Sequence, residues 1–94
     1  MAAYFNRNLK ILREALSKKK GRMLDFDYLA ILLDFPAIKL QQWERDGEPT
    51  LAEARKLAEK YSKLLGFEIT AHQLINKDLR YDERFYDVVW KKLE

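Results

Sequence analysis

The sequence predicts an all-α protein, and three observations support this class. Apolar residues recur at spacings of three and four along most of the chain, which is the period of an amphipathic helix. Residues that cap helices, and glycines that end them, stand between these apolar stripes. The best candidate for a strand, GFEIT at 66–70, is short and polar. The 94 residues are enough for one domain with a single modest core.

The first predicted helix spans residues 4–18, and a second follows from Asp25. The apolar stripe of the first helix consists of Phe5, Leu9, Leu12 and Leu16. The run SKKKGRML interrupts this helix, with Gly21 as the breaker. Asp25 suits the N-cap of the second helix, because its carboxylate accepts a hydrogen bond from a free N–H of the first turn. The apolar stripe of the second helix consists of Tyr28, Leu29, Leu32 and Leu33.

A turn at Asp34 and Phe35 leads to three further helices. Pro36 suits the first position of the third helix, because its fixed φ is helical and its missing N–H would have had no partner. Thr50 and Glu53 form a capping box that begins the fourth helix, and Gly66 ends it. A short fifth helix, AHQLIN, follows Thr70 as its cap. The predicted buried face of the fourth helix consists of Leu51, Ala54, Leu57, Ala58, Tyr61, Leu64 and Leu65.

The chain ends in RYDERFYDVVWKKLE, which predicts a sixth helix. Its apolar stripe consists of Tyr81, Phe85, Val88, Val89 and Leu93. Two interpretations stay open: the stripe caps the core of the bundle, or it forms the seam of a two-fold homodimer. Trp90 lies off this stripe and is the candidate for an exposed residue.

Composition argues against an enzyme. The chain has no cysteine, which excludes a disulfide framework and a Cys-ligated zinc site. His72 is the only histidine and has no obvious partner for nucleophilic catalysis or for a metal. The three scattered glycines form no phosphate-binding loop. We therefore expect no catalytic residue, no metal and no cofactor. The start of the chain has no signal-peptide pattern and no run is apolar enough for a membrane span, so we expect a cytoplasmic protein.

The net charge of +3 is unevenly distributed. Residues 7–22 carry seven basic side chains against the single acid Glu14, a net +6, which leaves −3 over residues 23–94. A basic segment on a slightly acidic body can steer a polyanion such as DNA. The alternative is a lysine-rich loop that only keeps the protein in solution, and charge alone does not decide between the two.

The third helix predicts a division into two faces at about 100° per residue. The side expected to face the core carries Pro36, Leu40, Trp43 and Glu44. The opposite side, which is offered to a partner, carries Ile38, Gln41, Gln42 and Arg45. Ala37 and Lys39 lie at the edges between the two sides.

Four segments together resemble the lambda-repressor-like (Cro/Xre) helix-turn-helix family. YLAILL looks like the first helix of the motif, where the small Ala30 lets two helices cross closely, and LQQWER resembles the end of the recognition helix. EPTLAEARKLAEKY and GFEITAHQLI are similar to the fourth and fifth helices of the family. The resemblance covers about residues 7–76. It implies one domain over 1–94: a lambda-repressor-like orthogonal bundle of five helices in 4–76, with 77–94 as a C-terminal helical extension.

The resemblance implies a sequence-specific transcriptional regulator that binds double-stranded DNA as a homodimer. Its base-reading positions match Ala37, Ile38 and Gln42; Gln42 can pair with adenine, and the other two can touch thymine methyl groups. Lys39 and Arg45 are candidates for phosphate contacts. In the family, a glutamate of the recognition helix also pairs with a basic residue of the first helix. Glu44 and Arg13 match these two positions. The full set of candidate DNA-binding residues is Ala37, Ile38, Lys39, Gln41, Gln42, Arg45, Lys18, Lys19, Lys20 and Arg22.

The sequence departs from the family pattern at three places. Asp34 stands where the turn usually has glycine, and Phe26 stands where a glutamine often donates to a phosphate. The connection with Lys18–Lys20 and Arg22 is about six residues longer than usual, and its charges are expected to restore phosphate contacts. The exposed Ile38 also supports an alternative function, in which the chain is a protein-binding inhibitor or antitoxin-type module on a helix-turn-helix scaffold.

Overall fold

The computed structural model describes residues 4–90, and every regular element in this range is helical. The six α-helices are α1 (Phe5–Lys20), α2 (Phe26–Leu33), α3 (Ala37–Arg45), α4 (Leu51–Leu65), α5 (Ala71–Asn76) and α6 (Tyr86–Val89). Two 3₁₀ turns, Leu79–Tyr81 and Glu83–Phe85, connect α5 to α6. The predicted all-α class is therefore confirmed. Among the described helices, none has the length and apolar character that a bilayer crossing requires.

The predicted helix caps are confirmed. Asp25 Oδ1 accepts from the N–H of Tyr28 at 2.8 Å and begins α2. Thr50 Oγ1 accepts from the N–H of Glu53 at 3.1 Å, while Glu53 Oε1 accepts from the N–H of Thr50 at 2.8 Å. Gly66, with φ 85°, ends α4. These signals are local in sequence, which is why the pattern predicts them well.

Two predicted boundaries shift by one or two residues. α1 continues through Lys20 and ends at Gly21, whose φ is 73°. The lysines are good helix formers, so the glycine ends this helix. Pro36 has ψ 138° and stands directly before α3, which begins at Ala37. Its side chain is exposed, so it does not join the core-facing side of α3.

The turn between α2 and α3 is held by a lysine of α4. Asp34 has φ 58°, the only positive φ of a non-glycine residue among the described residues. Lys56 Nζ donates to the Asp34 carbonyl at 2.8 Å and to its Oδ2 at 3.0 Å. This contact lowers the pKa of Asp34. Asp34 thus occupies the left-handed conformation in place of glycine, and the Lys56 ammonium group binds its backbone carbonyl and its carboxylate.

The core lies between α1 and the other helices. α1 contributes four of its fully or nearly fully buried apolar side chains at Phe5, Leu9, Leu12 and Leu16. The predicted buried face of α4 is correct except at its ends. Leu51 is 56 % exposed, because the first residue of α4 precedes the turns that pack on the core, and Leu64 is only half-buried.

Asn8 ties α1 to the segment that follows α5. Its side chain is fully buried. Nδ2 donates to the carbonyl oxygens of Leu74 at 2.8 Å and Lys77 at 2.7 Å, and Oδ1 accepts from the N–H of Leu79 at 3.1 Å. One carboxamide therefore satisfies three backbone groups where α5 ends and the next turn begins.

The prediction of a continuous C-terminal helix is wrong for the described residues. Asp78 and Asp82 each accept a hydrogen bond from the backbone N–H two residues later, at 3.1 and 3.0 Å. Such local bonds start new short turns, and they compete with a continuous helix. The chain forms two 3₁₀ turns before the four-residue α6.

This local geometry rearranges the predicted apolar stripe. Phe85 is fully buried, while Tyr81 is 62 % exposed. Val88 and Val89 are half-buried, and Leu93 lies outside the described residues. Trp90 was expected to be exposed, but it is partly buried and its Nε1 donates to the carbonyl of Arg80 at 2.8 Å. Phe85 therefore belongs to the core, whereas the exposed Tyr81 does not fit the interpretation that the whole stripe caps the bundle.

The ion pair between Asp82 and Arg84 is expected to make the stability of the fold sensitive to acid. Arg84 donates to both carboxylate oxygens, at 3.0 and 2.8 Å, and this contact lowers the pKa of Asp82 below its ordinary value of 3.8. A carboxyl with a depressed folded-state pKa stabilises the fold above its unfolded-state pKa, and this stability is lost as the pH falls through the folded-state pKa. We expect the difference in free energy of unfolding between wild type and D82N to shrink from about pH 5 downward, measured by urea denaturation.

A second variant separates this pair from general acid denaturation. R84Q removes the donor and should flatten the same pH dependence, whatever it does to stability at neutral pH. A difference between wild type and D82N that stays constant from about pH 6 to about pH 3 would contradict the prediction.

Candidate nucleic-acid interface

α3 has one buried and one exposed face. Leu40 and Trp43 are 3 % and 2 % exposed and belong to the core. Ile38 is 63 % exposed. The other exposed side chains of this face are Gln41, Gln42 and Arg45, while Ala37 and Lys39 are half-buried at its edges. Apart from Pro36, the side chains of α3 divide as predicted. We call Ile38, Gln41, Gln42 and Arg45 the α3 face.

The two glutamines of the α3 face make no side-chain hydrogen bond within the described part of the chain. Each carboxamide carries two donors and one acceptor oxygen. Among residues 4–90, the one ion-pair contact of Arg45 is with Asp46, at 4.0 Å, and both side chains are at least three-quarters exposed. The α3 face thus presents two carboxamides that have no hydrogen-bond partner among the described residues.

Arg13 and Glu44 form the predicted pair behind this face. Arg13 Nε donates to Glu44 Oε2 at 2.8 Å and Nη2 donates to Oε1 at 3.0 Å. The two side chains are 15 % and 12 % exposed. The hydrogen bond to Glu44 raises the pKa of Arg13, whose guanidinium also lies 5.1 Å from the centre of the Phe26 ring. A bidentate pair of this kind fixes the rotation of α3 relative to α1.

Further contacts hold the C-terminal end of α3. Asn6 Nδ2 donates to the carbonyl oxygens of Trp43 and Gly47, the latter at 2.8 Å. Phe5 and Phe35 pack edge-on against the Trp43 ring. A Cβ at Gly47 would lie 3.0 Å from Trp43 Cδ1 and 3.1 Å from the Gln42 carbonyl oxygen, so a side chain here would force these neighbours to shift by a few tenths of an ångström. The role of Asn6 had no signal in the sequence, because both its partners lie about forty residues away.

The Lys39 side chain contacts other residues of the protein. Its ammonium group forms an ion pair with Glu53 and lies 5.3 Å from the centre of the Trp43 ring. This contact lowers the pKa of Glu53. Lys56, which holds the turn at Asp34, is a cation near the start of α3 that the sequence pattern did not single out. Lys56 lies on the polar side of α4 at ordinary helical spacing, so nothing in the sequence distinguishes it from the other polar residues of this helix.

The basic side chains at the end of α1 differ in the contacts that they make. Lys18 forms an ion pair with Asp87 of α6, and Lys19 donates to the Leu64 carbonyl at the end of α4. Lys20 and Arg22 form no ion pair with any residue in 4–90, and the Arg22 guanidinium lies 4.5 Å from the centre of the Tyr28 ring. Neither Lys18 nor Lys19 contacts α3 through a hydrogen bond or an ion pair. Arg22 is the member of this segment that the structure brings to α2.

Among residues 4–90, no three His, Asp or Glu side chains come together in a way that could hold a metal ion. Comparison with known proteins gives no relative: no family model, no curated protein and no solved structure matches this chain.

Proposed function

We propose that this chain is a sequence-specific regulator of transcription that binds double-stranded DNA, with α2 and α3 as a lambda-repressor-like helix-turn-helix. The observation that carries the proposal is the α3 face. It combines two uncommitted carboxamides, a branched apolar side chain and an arginine on a helix whose opposite side is fixed to α1. A helix held in this way can enter the major groove and read base edges there.

The chemistry of the α3 face favours A·T-rich sites. Gln42 can donate to N7 and accept from the N6 amino group of adenine, and Ile38 can pack on a thymine methyl group. Arg45 supplies a phosphate contact at the end of the helix. Lys20 and Arg22 add charge and have no competing ion pair among the described residues, whereas Lys18, Lys19 and Lys39 would have to leave the partners described above.

A palindromic site would require a two-fold homodimer, which is part of the proposal. Phe85 cannot contribute to its seam, because the side chain is fully buried within one chain. The exposed aromatic residues of the C-terminal segment are Tyr81 and Tyr86, and the half-buried Val88 and Val89 lie close to them in sequence. Light scattering of the purified protein would show whether it is a dimer.

Selection from random duplexes at a defined salt concentration tests the proposal. We expect an A·T-containing motif to be enriched, and the affinity for the selected duplex to fall as salt rises, because bound phosphates release counterions. An affinity that does not depend on salt, or a selection without any enriched motif, would remove the support for sequence-specific DNA binding.

Gln42 and Arg45 are expected to differ in their effect on the selected duplex. Q42A should cost about 1–3 kcal/mol at one base pair and relax the preference there, because it removes a base contact. R45A should weaken binding to all duplexes about equally and lower the salt slope by about one, because it removes a phosphate contact. Binding measurements on the selected duplex and on variants with one base pair changed separate the two. Equal losses on every duplex for both variants would contradict the assignment of Gln42.

A second candidate function is a protein-binding module. Ile31 on α2 is 77 % exposed and Ile38 on α3 is 63 % exposed, and exposed branched side chains are common at protein interfaces. The same selection discriminates between the two functions, because a protein-binding module enriches no motif.

A further inference from the structure

A groove runs along α1 on the side of the basic segment. It is open to solvent and has a volume of about 700 Å³. Lys10, Ser17 and Gly21 line it at helical spacing, so they follow one side of α1. Met23 of the α1–α2 connection and Val88 of α6 also line it. We call this surface the α1 groove, and none of the four residues of the α3 face belongs to it.

The charge of the α1 groove is uneven. Four basic side chains and two acidic ones line it, a net +2: Lys10, Arg13, Lys18 and Arg22 against Glu14 and Asp87. Lys10 and Arg22 form no ion pair with any described residue. The ion pair between Lys18 and Asp87 joins α1 to α6 at the groove, and Arg13 is neutralised by its pair with Glu44, which is not a lining residue. The surrounding segment, residues 7–22, carries a net +6. A ligand of this groove therefore gains from negative charge.

The α1 groove also has apolar walls. Met23 is 78 % exposed, the largest exposure among the large apolar side chains of the described residues, and Val88 is half-buried. Methionine is unbranched and polarisable, and it adapts to different apolar partners. A phosphate backbone has no apolar side chain to place against Met23 and Val88. An amphipathic helix uses an apolar wall and a charged rim together.

We propose that the α1 groove binds an acidic amphipathic segment of a partner protein. Its carboxylates meet Lys10 and Arg22, and its apolar side chains cover Met23 and Val88. Charge complementarity and the exposed methionine support this partner over DNA. The proposal does not depend on DNA binding by α3, because it rests on a different surface.

The test uses two fluorescent peptides of about 16 residues that share one Glu- and Leu-rich composition. In the first peptide the leucines recur at spacings of three and four, and in the second the order is scrambled, so that both carry the same charge. Fluorescence anisotropy with the full chain is expected to show at least about tenfold tighter binding of the amphipathic peptide. K10E/R22E should weaken this binding about tenfold or more, and M23S by several-fold.

K77E is the matched control, because Lys77 is an exposed cation at the end of α5 that does not line the groove. It should leave peptide binding unchanged, and circular dichroism of all variants checks the fold. Absence of binding, equal binding of both peptides, or an equal loss in K77E would overturn the proposal. So would peptide binding that M23S leaves unchanged, since the apolar wall of the groove would then take no part in binding.

Discussion

Replacing Asn8 with alanine is expected to lower the free energy of unfolding by about 3 kcal/mol or more. The side chain is fully buried, and it satisfies the carbonyl groups of Leu74 and Lys77 and the N–H of Leu79. N8A leaves these three groups without their partner in a region where the side chains of Leu74 and Leu79 are also fully buried. Each buried polar group left unsatisfied costs about 1–3 kcal/mol.

Urea denaturation of wild type, N8A and N8L measures this effect. N8L keeps the branching and the number of side-chain heavy atoms and leaves no cavity, so it separates the lost hydrogen bonds from a cavity, and it should also be destabilised. N76A is the control, because Asn76 is an exposed asparagine that is hydrogen-bonded to His72, and it should stay within about 0.5 kcal/mol of wild type. If N8A loses no more stability than N76A, Asn8 does not hold α1 to the segment after α5.

The role of Asn8 marks the limit of prediction from sequence in this chain. Caps such as Thr50 with Glu53 depend on residues three positions apart, and local rules predict them. The partners of Asn8 lie 66 to 71 residues away in sequence. An asparagine within an amphipathic helix gives no sign of such a distant contact, because helical periodicity reports only which side of α1 it occupies.

The C-terminal segment shows a different limit. The apolar spacing from Tyr81 onward fits a helix, but Asp78 and Asp82 bind the backbone two residues ahead and divide the segment into short turns. The competition between these side-chain bonds and a helical turn is decided by small energies. Apolar spacing carries no information about that balance. The helical character of the segment could therefore be predicted, but its division into short turns could not.

The candidate site was predictable where it depends on helix geometry. The division of α3 into Trp43 and Gln42 sides follows from the rotation per residue. The pair of Arg13 and Glu44 came from the family resemblance, and the structure contains it. The ion-pair partner of Lys18 could not be predicted, because a long flexible side chain pairs with whichever carboxylate the tertiary structure brings near.

Breaking the Arg13–Glu44 pair from one side is expected to lower the free energy of unfolding by about 2–3 kcal/mol. In R13M the Glu44 carboxylate, 12 % exposed, loses both its hydrogen bonds. E44L leaves the guanidinium of Arg13 without its acceptor, although Phe26 remains beside it. The double variant R13M/E44L removes both charges, and we expect it to recover most of the lost stability, since an apolar pair of similar size can replace a buried ion pair. Urea denaturation of the four proteins gives the coupling energy.

Stability and DNA binding should separate in this double variant, if the proposed function is correct. A bidentate pair fixes the rotation of α3, whereas an apolar contact fills the space without fixing it. We therefore expect R13M/E44L to bind a selected duplex about tenfold more weakly than wild type, while its binding to random duplexes stays nearly unchanged, because phosphate contacts depend less on the rotation of α3 than contacts to base edges. Single variants within about 0.5 kcal/mol of wild type would show that the pair does not stabilise the fold. A double variant with full specificity would show that apolar packing alone positions the α3 face.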